Sequence, residues 1–100
     1  MHGFSLKRSI ALNKEGDYQG AIACLDQVLA GDPMNPMAWN FKGGALLKLG
    51  EHREARGAFQ NFVKYAPPKY SKYMSQAEAI IRELEPIIRA GKSIRINNKV

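Results

Sequence analysis

The chain has little of what secreted, membrane and redox proteins need. Cys24 is the single cysteine among 100 residues, so no disulfide can form within the chain, which is typical of a reducing compartment. No apolar run approaches the roughly 20 residues that span a bilayer. The first residues lack the charged-then-apolar pattern of a secretion signal. We therefore expect a cytoplasmic protein without a transmembrane segment.

Residues that carry catalysis are also scarce. His2 and His52 are the only histidines, one near the terminus and one at a predicted helix start. Gly43-Gly44 lies inside a predicted helix, so it is not a phosphate-binding loop. Cys24 falls among apolar residues at helical spacing, which favours a buried structural role over nucleophilic or redox chemistry. The sequence therefore predicts no enzyme, no cofactor and no metal site.

The most informative stretch of the chain runs from residue 39 to residue 67. Small and bulky side chains recur there at helical spacing on two successive faces, first Trp39, Gly43 and Leu46, then Ala55, Phe59 and Phe62. Between these faces Gly50 can adopt a left-handed turn without steric cost. Pro67 cannot continue a helix. The pattern predicts two antiparallel helices in close contact.

This pattern recurs at an offset of 34 residues. The identical pairs fall where a helical hairpin constrains size or backbone: Ala11 and Ala45, Leu12 and Leu46, Lys14 and Lys48, Gly16 and Gly50, Ala21 and Ala55, Pro33 and Pro67. A further step of the same length aligns Ser5, Trp39 and Tyr73. The chain is therefore predicted to be all-α, with two helical hairpins followed by one more helix.

On these residues the chain resembles the tetratricopeptide repeat, a helical hairpin of 34 residues. Five signature positions match outright in the second copy, namely Trp39, Gly43, Ala55, Phe59 and Pro67. Leu46 stands where tyrosine is usual and Lys42 where leucine is usual. In the first copy Ser5 replaces the large aromatic residue and Arg8 the leucine.

The resemblance, which covers about residues 2 to 85, implies an α-solenoid that serves as a protein-binding scaffold. We expect a single domain with repeat 1 at 2–35, repeat 2 at 36–69, a capping helix at 70–90 and a basic tail at 91–100. The predicted helices run over 4–14, 18–30, 36–49 and 52–65, and Ser71 is the predicted N-cap of the last one. That last helix is predicted to kink near 82–86 or to form two abutting pieces, and residues 1–3 and the tail to be mobile.

In this family the first helix of each unit lines the concave side, which implies a groove along the chain. Its predicted partner-binding residues are mostly apolar, with lysine and arginine along one border: Leu6, Ile10, Asn13, Lys14, Met37, Asn40, Phe41, Leu47, Lys48, Met74, Ile81 and Arg82. Exposed apolar patches of this kind usually mark interaction sites. We therefore predict that the groove binds an apolar or amphipathic peptide or helix, or a second copy of the chain.

One subgroup of the family grips the terminal carboxylate of a chaperone with basic and amide side chains on these helices. The corresponding positions here hold Leu6, Ile10, Phe41, Ser71 and Ser75. None of them can pair with a carboxylate in that way, so this specificity is not expected.

The alternative function comes from charge. The net charge is +6, and residues 51–100 carry ten basic against five acidic residues. Lys64, Lys69, Tyr70 and Lys72 combine cations with an aromatic ring, which suits single-stranded nucleic acid or another polyanion. Against this reading, lysines that flank a turn are usually only solvated, and Tyr73 is predicted to lie in the core.

The number of repeats bears on assembly. About three stacked repeats are usually needed to bury a continuous core. This chain has two and the start of a third. We therefore expect the last helix to cover the open flank, with a homo-oligomer or a longer repeat protein as the alternatives.

Overall fold

The structure, a computed structural model, describes residues 5–98, with side chains placed over residues 5–91. The described chain contains helices and no strand, which confirms the all-α prediction. Its elements are α1 (Leu6–Lys14), α2 (Tyr18–Gly31), α3 (Pro36–Lys48), α4 (His52–Tyr65), a 3-10 turn (Pro68–Tyr70) and α5 (Ser71–Asn98). None of the described helices combines the length and apolar character that crossing a membrane requires. The mobility predicted for residues 1–3 concerns positions outside the described residues.

Side-chain caps set the first residues of three helices. Asp17 Oδ1 accepts a hydrogen bond from the Gly20 amide at 2.9 Å, and Asn35 Oδ1 accepts from the Ala38 amide at 3.1 Å. These caps satisfy amides that have no partner within the helix. The predicted starts of α2 and α3 are thereby confirmed. The predicted start of α1 was wrong, because Ser5 is its cap and the helix begins at Leu6.

The turn inside each hairpin depends on a glycine in the left-handed region. Gly16 has φ +83° between α1 and α2, and Gly50 has φ +78° between α3 and α4. Other residues enter this region at a steric cost that glycine does not have. The conformation predicted for Gly50 is confirmed, and Gly16 repeats it.

Each helix packs mainly on the next one along the chain, and α1 also contacts α3. One core cluster lies between α3, α4 and α5 and is centred on Phe59 and Phe62. A smaller cluster of Leu25, Leu29 and Ala38 joins α2 to α3. Among the described residues, α2 and α4 are linked mainly through α3, which leaves space between them on the outer side.

The second hairpin contains a close contact between its two helices at Gly43. A Cβ atom built on Gly43 would lie 2.8 Å from the ring of Phe59, closer than real carbon atoms approach. The missing side chain therefore lets the ring pack against the α3 backbone. Trp39 is half-buried, and its Nε1 donates to the Pro33 carbonyl at 2.8 Å. Both observations fit the predicted hairpin.

The first hairpin is packed with smaller groups. Ser9 is fully buried, and its Oγ donates to the Leu6 carbonyl at 2.7 Å. Cys24 is buried too, and its Sγ lies 3.4 Å from the Ser5 carbonyl oxygen. A buried structural role for this cysteine is therefore confirmed.

The last helix differs from its prediction in two ways. Ser71 has helical backbone angles and follows a 3-10 turn, so it is not an N-cap. The helix continues through Pro86 and Gly91 to Asn98 instead of ending near residue 90, and most of the predicted tail is therefore helical. Gly91 does not adopt the left-handed conformation that ends many helices. Val100 and Lys99 lie outside the described residues.

Tyr73 was also predicted wrongly. The sequence alignment gives it the place of Trp39 and hence a core role, but 47% of its surface is exposed. In the second hairpin the equivalent side chain is sheltered by elements on both sides. Among the described residues no helix follows α5, so the corresponding side chain keeps one face open.

Candidate functional site

The predicted groove is built from helices α1, α3 and α5. We call its apolar members the inner strip: Leu6, Ile10, Met37, Phe41, Leu47, Met74 and Ile81. All seven side chains are half-buried, neither in the core nor fully exposed. Each helix therefore presents apolar surface whose burial is incomplete.

Six of these seven side chains, all except Ile10, pack against the core clusters. Leu6 and Phe41 pack against the small cluster between α2 and α3. Met37, Leu47, Met74 and Ile81 pack against the larger cluster between α3, α4 and α5. Contacts of this kind restrict the side chains, so the inner strip is a preformed surface rather than a set of mobile groups.

Charged and amide groups accompany the inner strip. Lys14, Lys48 and Arg82 are exposed, as cations at the border of an apolar surface should be. Asn13 and Asn40 are half-buried. Asn13 Oδ1 is itself buried and has no hydrogen-bond partner among the described residues. Such an acceptor is costly unless something donates to it.

The predicted polyanion patch is only partly available. Lys64, Lys69 and Lys72 are exposed, but the ring of Tyr70 is half-buried. The Tyr70 ring packs against Phe62 at a centroid distance of 6.4 Å and against Tyr73 at 6.3 Å. Tyr70 therefore supports the core more than it offers a face for base stacking.

The sequence did not reveal a cleft on the opposite side of the chain. We call it the outer cleft; it lies between α2 and α4, with α3 as its floor, and has a volume of about 430 Å³. Trp39 and Leu46 of α3 form its apolar floor, and Ile22 of α2 and Glu54 of α4 line its sides. Lys42, at a position where the resemblance predicts leucine, was the one sequence signal that this region is unusual.

The described residues contain no cluster that could hold a metal ion. Among the described residues no three histidine, cysteine, aspartate or glutamate side chains approach closely enough to hold a metal ion. The two ion pairs between described residues, Asp26 with Lys42 and Arg56 with Glu85, each join neighbouring helices. Both pairs are partly exposed, and such pairs contribute little to stability.

Comparison with models of protein families finds a match over residues 6–74, described as tetratricopeptide repeat. The match begins at the first residue of α1 and ends within the first turn of α5. It therefore covers both hairpins and about two thirds of the chain.

Proposed function

This chain belongs to the tetratricopeptide repeat family, and we propose that it is a non-catalytic module whose inner strip binds an apolar or amphipathic segment of a protein partner. Repeats of this family generally mediate protein–protein interaction and are generally not catalytic. Beyond this general role, we propose which surface binds the partner, what chemistry the partner has and that the protein is cytoplasmic. It also takes 2–35 and 36–69 as the two repeats.

The half-buried state of the seven apolar side chains of the inner strip is the observation that carries the proposal. Fully burying an apolar side chain contributes about 1.5–3 kcal/mol, and these side chains have part of that gain left. Because six of the seven, all except Ile10, already pack against the core clusters, little of their side-chain entropy remains to be lost on binding. An amphipathic helix laid across α1, α3 and α5 would use both features.

The cations at the border refine the partner. Lys14, Lys48 and Arg82 have no acidic partner within the ion-pair distance among the described residues. A partner with acidic residues beside its apolar face would approach faster and in one orientation. The Asn13 carboxamide could take a donor from that segment after a small rotation of its side chain.

Affinity capture from native lysate with the full chain, Ile10→Glu and Met34→Glu tests the proposal. Ile10→Glu puts a charge into the inner strip, whereas Met34→Glu makes the same change at a loop residue that is 61% exposed. We expect Ile10→Glu to lose the captured partner and Met34→Glu to retain it, with unchanged helical circular dichroism in both. Equal capture by all three would contradict the proposal. Leu47→Glu is less suitable, because Leu47 packs against the core.

Two other occupants are distinguished by simple measurements. If the inner strip binds a second copy, sedimentation will give a dimer mass that Ile10→Glu reduces to a monomer mass. If a polyanion binds instead, Lys69→Glu with Lys72→Glu will remove binding of labelled single-stranded DNA, and the affinity will fall steeply with salt. Neither outcome is expected if the inner strip is a site for a separate protein.

A further inference from the structure

The outer cleft is an apolar surface that the fold leaves uncovered. Ile22 and Trp39 are half-buried in it, although both also pack against core residues. A second depression between α2 and the start of α4 shares Ile22, Leu46 and Glu54 with it. The two therefore form one continuous trough along the outer side of the chain.

Gly57, in the wall of the outer cleft, has no packing reason to be glycine. It lies inside α4, where glycine is about 1 kcal/mol less favourable than alanine. A Cβ atom built on Gly57 meets nothing within 4 Å, whereas one on Gly43 would clash with Phe59. A glycine without an internal contact keeps the wall low and allows a close approach of another chain.

The charge of the outer cleft is opposite to that of the whole protein. Asp26, Glu51 and Glu54 line the trough, and Lys42 is the only cation among the described residues that line it. Lys42 is already neutralised, since its Nζ lies 2.6 Å from Asp26 Oδ1 and 5.5 Å from the centre of the Trp39 ring. Glu51 and Glu54 have no ion-pair partner among the described residues. The whole chain carries a net charge of +6, so these carboxylates without an ion-pair partner form a local acidic surface that selects for a cationic partner.

From this combination we propose that the outer cleft binds a basic amphipathic segment of a second protein. Its apolar side chain lies on Ile22 and Trp39, and its lysine or arginine pairs with Glu54 or Glu51. Lys42 illustrates how the cleft holds a cation, with the ammonium group beside both an aromatic ring and a carboxylate. The inner strip has a cationic border, so the two sides of the chain select partners of opposite charge and can be occupied at the same time.

A fluorescent peptide of lysine and leucine in amphipathic helical order, with a matched peptide of glutamate and leucine, tests the proposal by fluorescence anisotropy on the full chain. At physiological salt we expect the lysine peptide to bind in the outer cleft and the glutamate peptide not to bind there. The double variant Glu51→Lys with Glu54→Lys should bind the lysine peptide at least about tenfold more weakly. Gly57→Leu should weaken it comparably by filling the trough.

The matched control reverses the charge of two exposed glutamates outside the outer cleft. Glu78→Lys with Glu83→Lys gives the same net charge but changes exposed residues of α5, so affinity should stay within about twofold. Equal weakening by both double variants would overturn the proposal, since binding would then follow net charge alone. No binding by the unmodified chain would also overturn it. The four glutamates of the two double variants are all exposed, so the test does not depend on a change in the core.

Ile10→Glu separates this inference from the proposed function. It should leave the lysine peptide bound while removing the partner of the inner strip. Loss of the lysine peptide with Ile10→Glu and not with the cleft variant would place the peptide on the inner strip and refute the outer site. A dimer that dissociates on reversal of Glu51 and Glu54 would make a second copy the occupant, which contradicts a separate partner.

Discussion

The two hairpins carry different side chains at corresponding buried positions. In the second hairpin Gly43 has no side chain and the large ring of Phe59 packs against the α3 backbone. In the first hairpin the corresponding residues are Ser9 and Leu25, both fully buried. The second hairpin thus has one small and one large residue at these positions, whereas the first has two residues of medium size. The pair, rather than either residue, is what the packing constrains, because the interior has to be filled at a fixed density.

The strongest way to break this equivalence is to remove the larger member of each pair. Phe59→Ala should lower the free energy of unfolding by about 3–5 kcal/mol and Leu25→Ala by about 2–5 kcal/mol. Because the Phe59 ring also fills the space left by the missing side chain of Gly43, we expect Phe59→Ala to lower the free energy of unfolding more than Leu25→Ala does. Urea denaturation followed by circular dichroism measures both. A smaller effect for Phe59→Ala than for Leu25→Ala would contradict the comparison.

A double-mutant cycle sharpens the same point. Gly43→Ser introduces into the second hairpin the residue of the first, and its Cβ meets the Phe59 ring, so it should cost about 1–3 kcal/mol. Phe59→Leu makes the other half of the exchange and leaves room for the serine. The double variant should therefore be more stable than the sum of the single changes predicts, by about 0.5 kcal/mol or more. Strict additivity would show that the two positions are not packed as a pair.

The caps of the second helices give a smaller contrast. Asp17 and Glu51 precede α2 and α4 with nearly equal backbone angles, but only Asp17 caps its helix through its side chain. Asp17→Ala should therefore lower the free energy of unfolding by about 1 kcal/mol. Glu51→Ala should change it by much less. Thermal unfolding of the two variants measures the difference, and equal losses would contradict the assigned caps.

Two glycines inside helices give the last contrast. Gly57→Ala should raise the free energy of unfolding by up to about 1 kcal/mol, because its new methyl group enters open space in a helix interior. Gly43→Ala should lower it, because the methyl group meets the Phe59 ring. Chemical denaturation gives the sign of each change. Destabilisation by Gly57→Ala would mean that this position is packed after all, and the outer cleft would lose one of its supports.

Local signals made the fold predictable where they were complete. The starts of α2 and α3 follow from the caps Asp17 and Asn35, and the bounds of α4 follow from the turn at Gly50 and from Pro67. The prediction failed at α5, where Gly91 was read as a helix end although its backbone stays helical. It also failed at Tyr73, because whether that side chain is buried depends on a neighbouring helix and not on its own spacing.

The surfaces were predictable to different degrees. Spacing along single helices was enough to name the inner strip, and its role in binding stays a prediction. The outer cleft depends on the separation of α2 and α4, which no single helix specifies. The one sign of the outer cleft in the sequence was Lys42, which departs from the family pattern. The absence of a packing contact at Gly57 is visible only in the structure.

The central claim, that a protein partner lies on the inner strip, is tested most directly by site-specific photocrosslinking in native lysate. A photoreactive phenylalanine derivative replaces Phe41 on the inner strip or, as a control, the exposed loop residue Met34. We predict a discrete crosslinked product from position 41 that disappears when Ile10→Glu is added, and none from position 34. Crosslinks from position 34 alone, or a product from position 41 that Ile10→Glu leaves unchanged, would contradict the account.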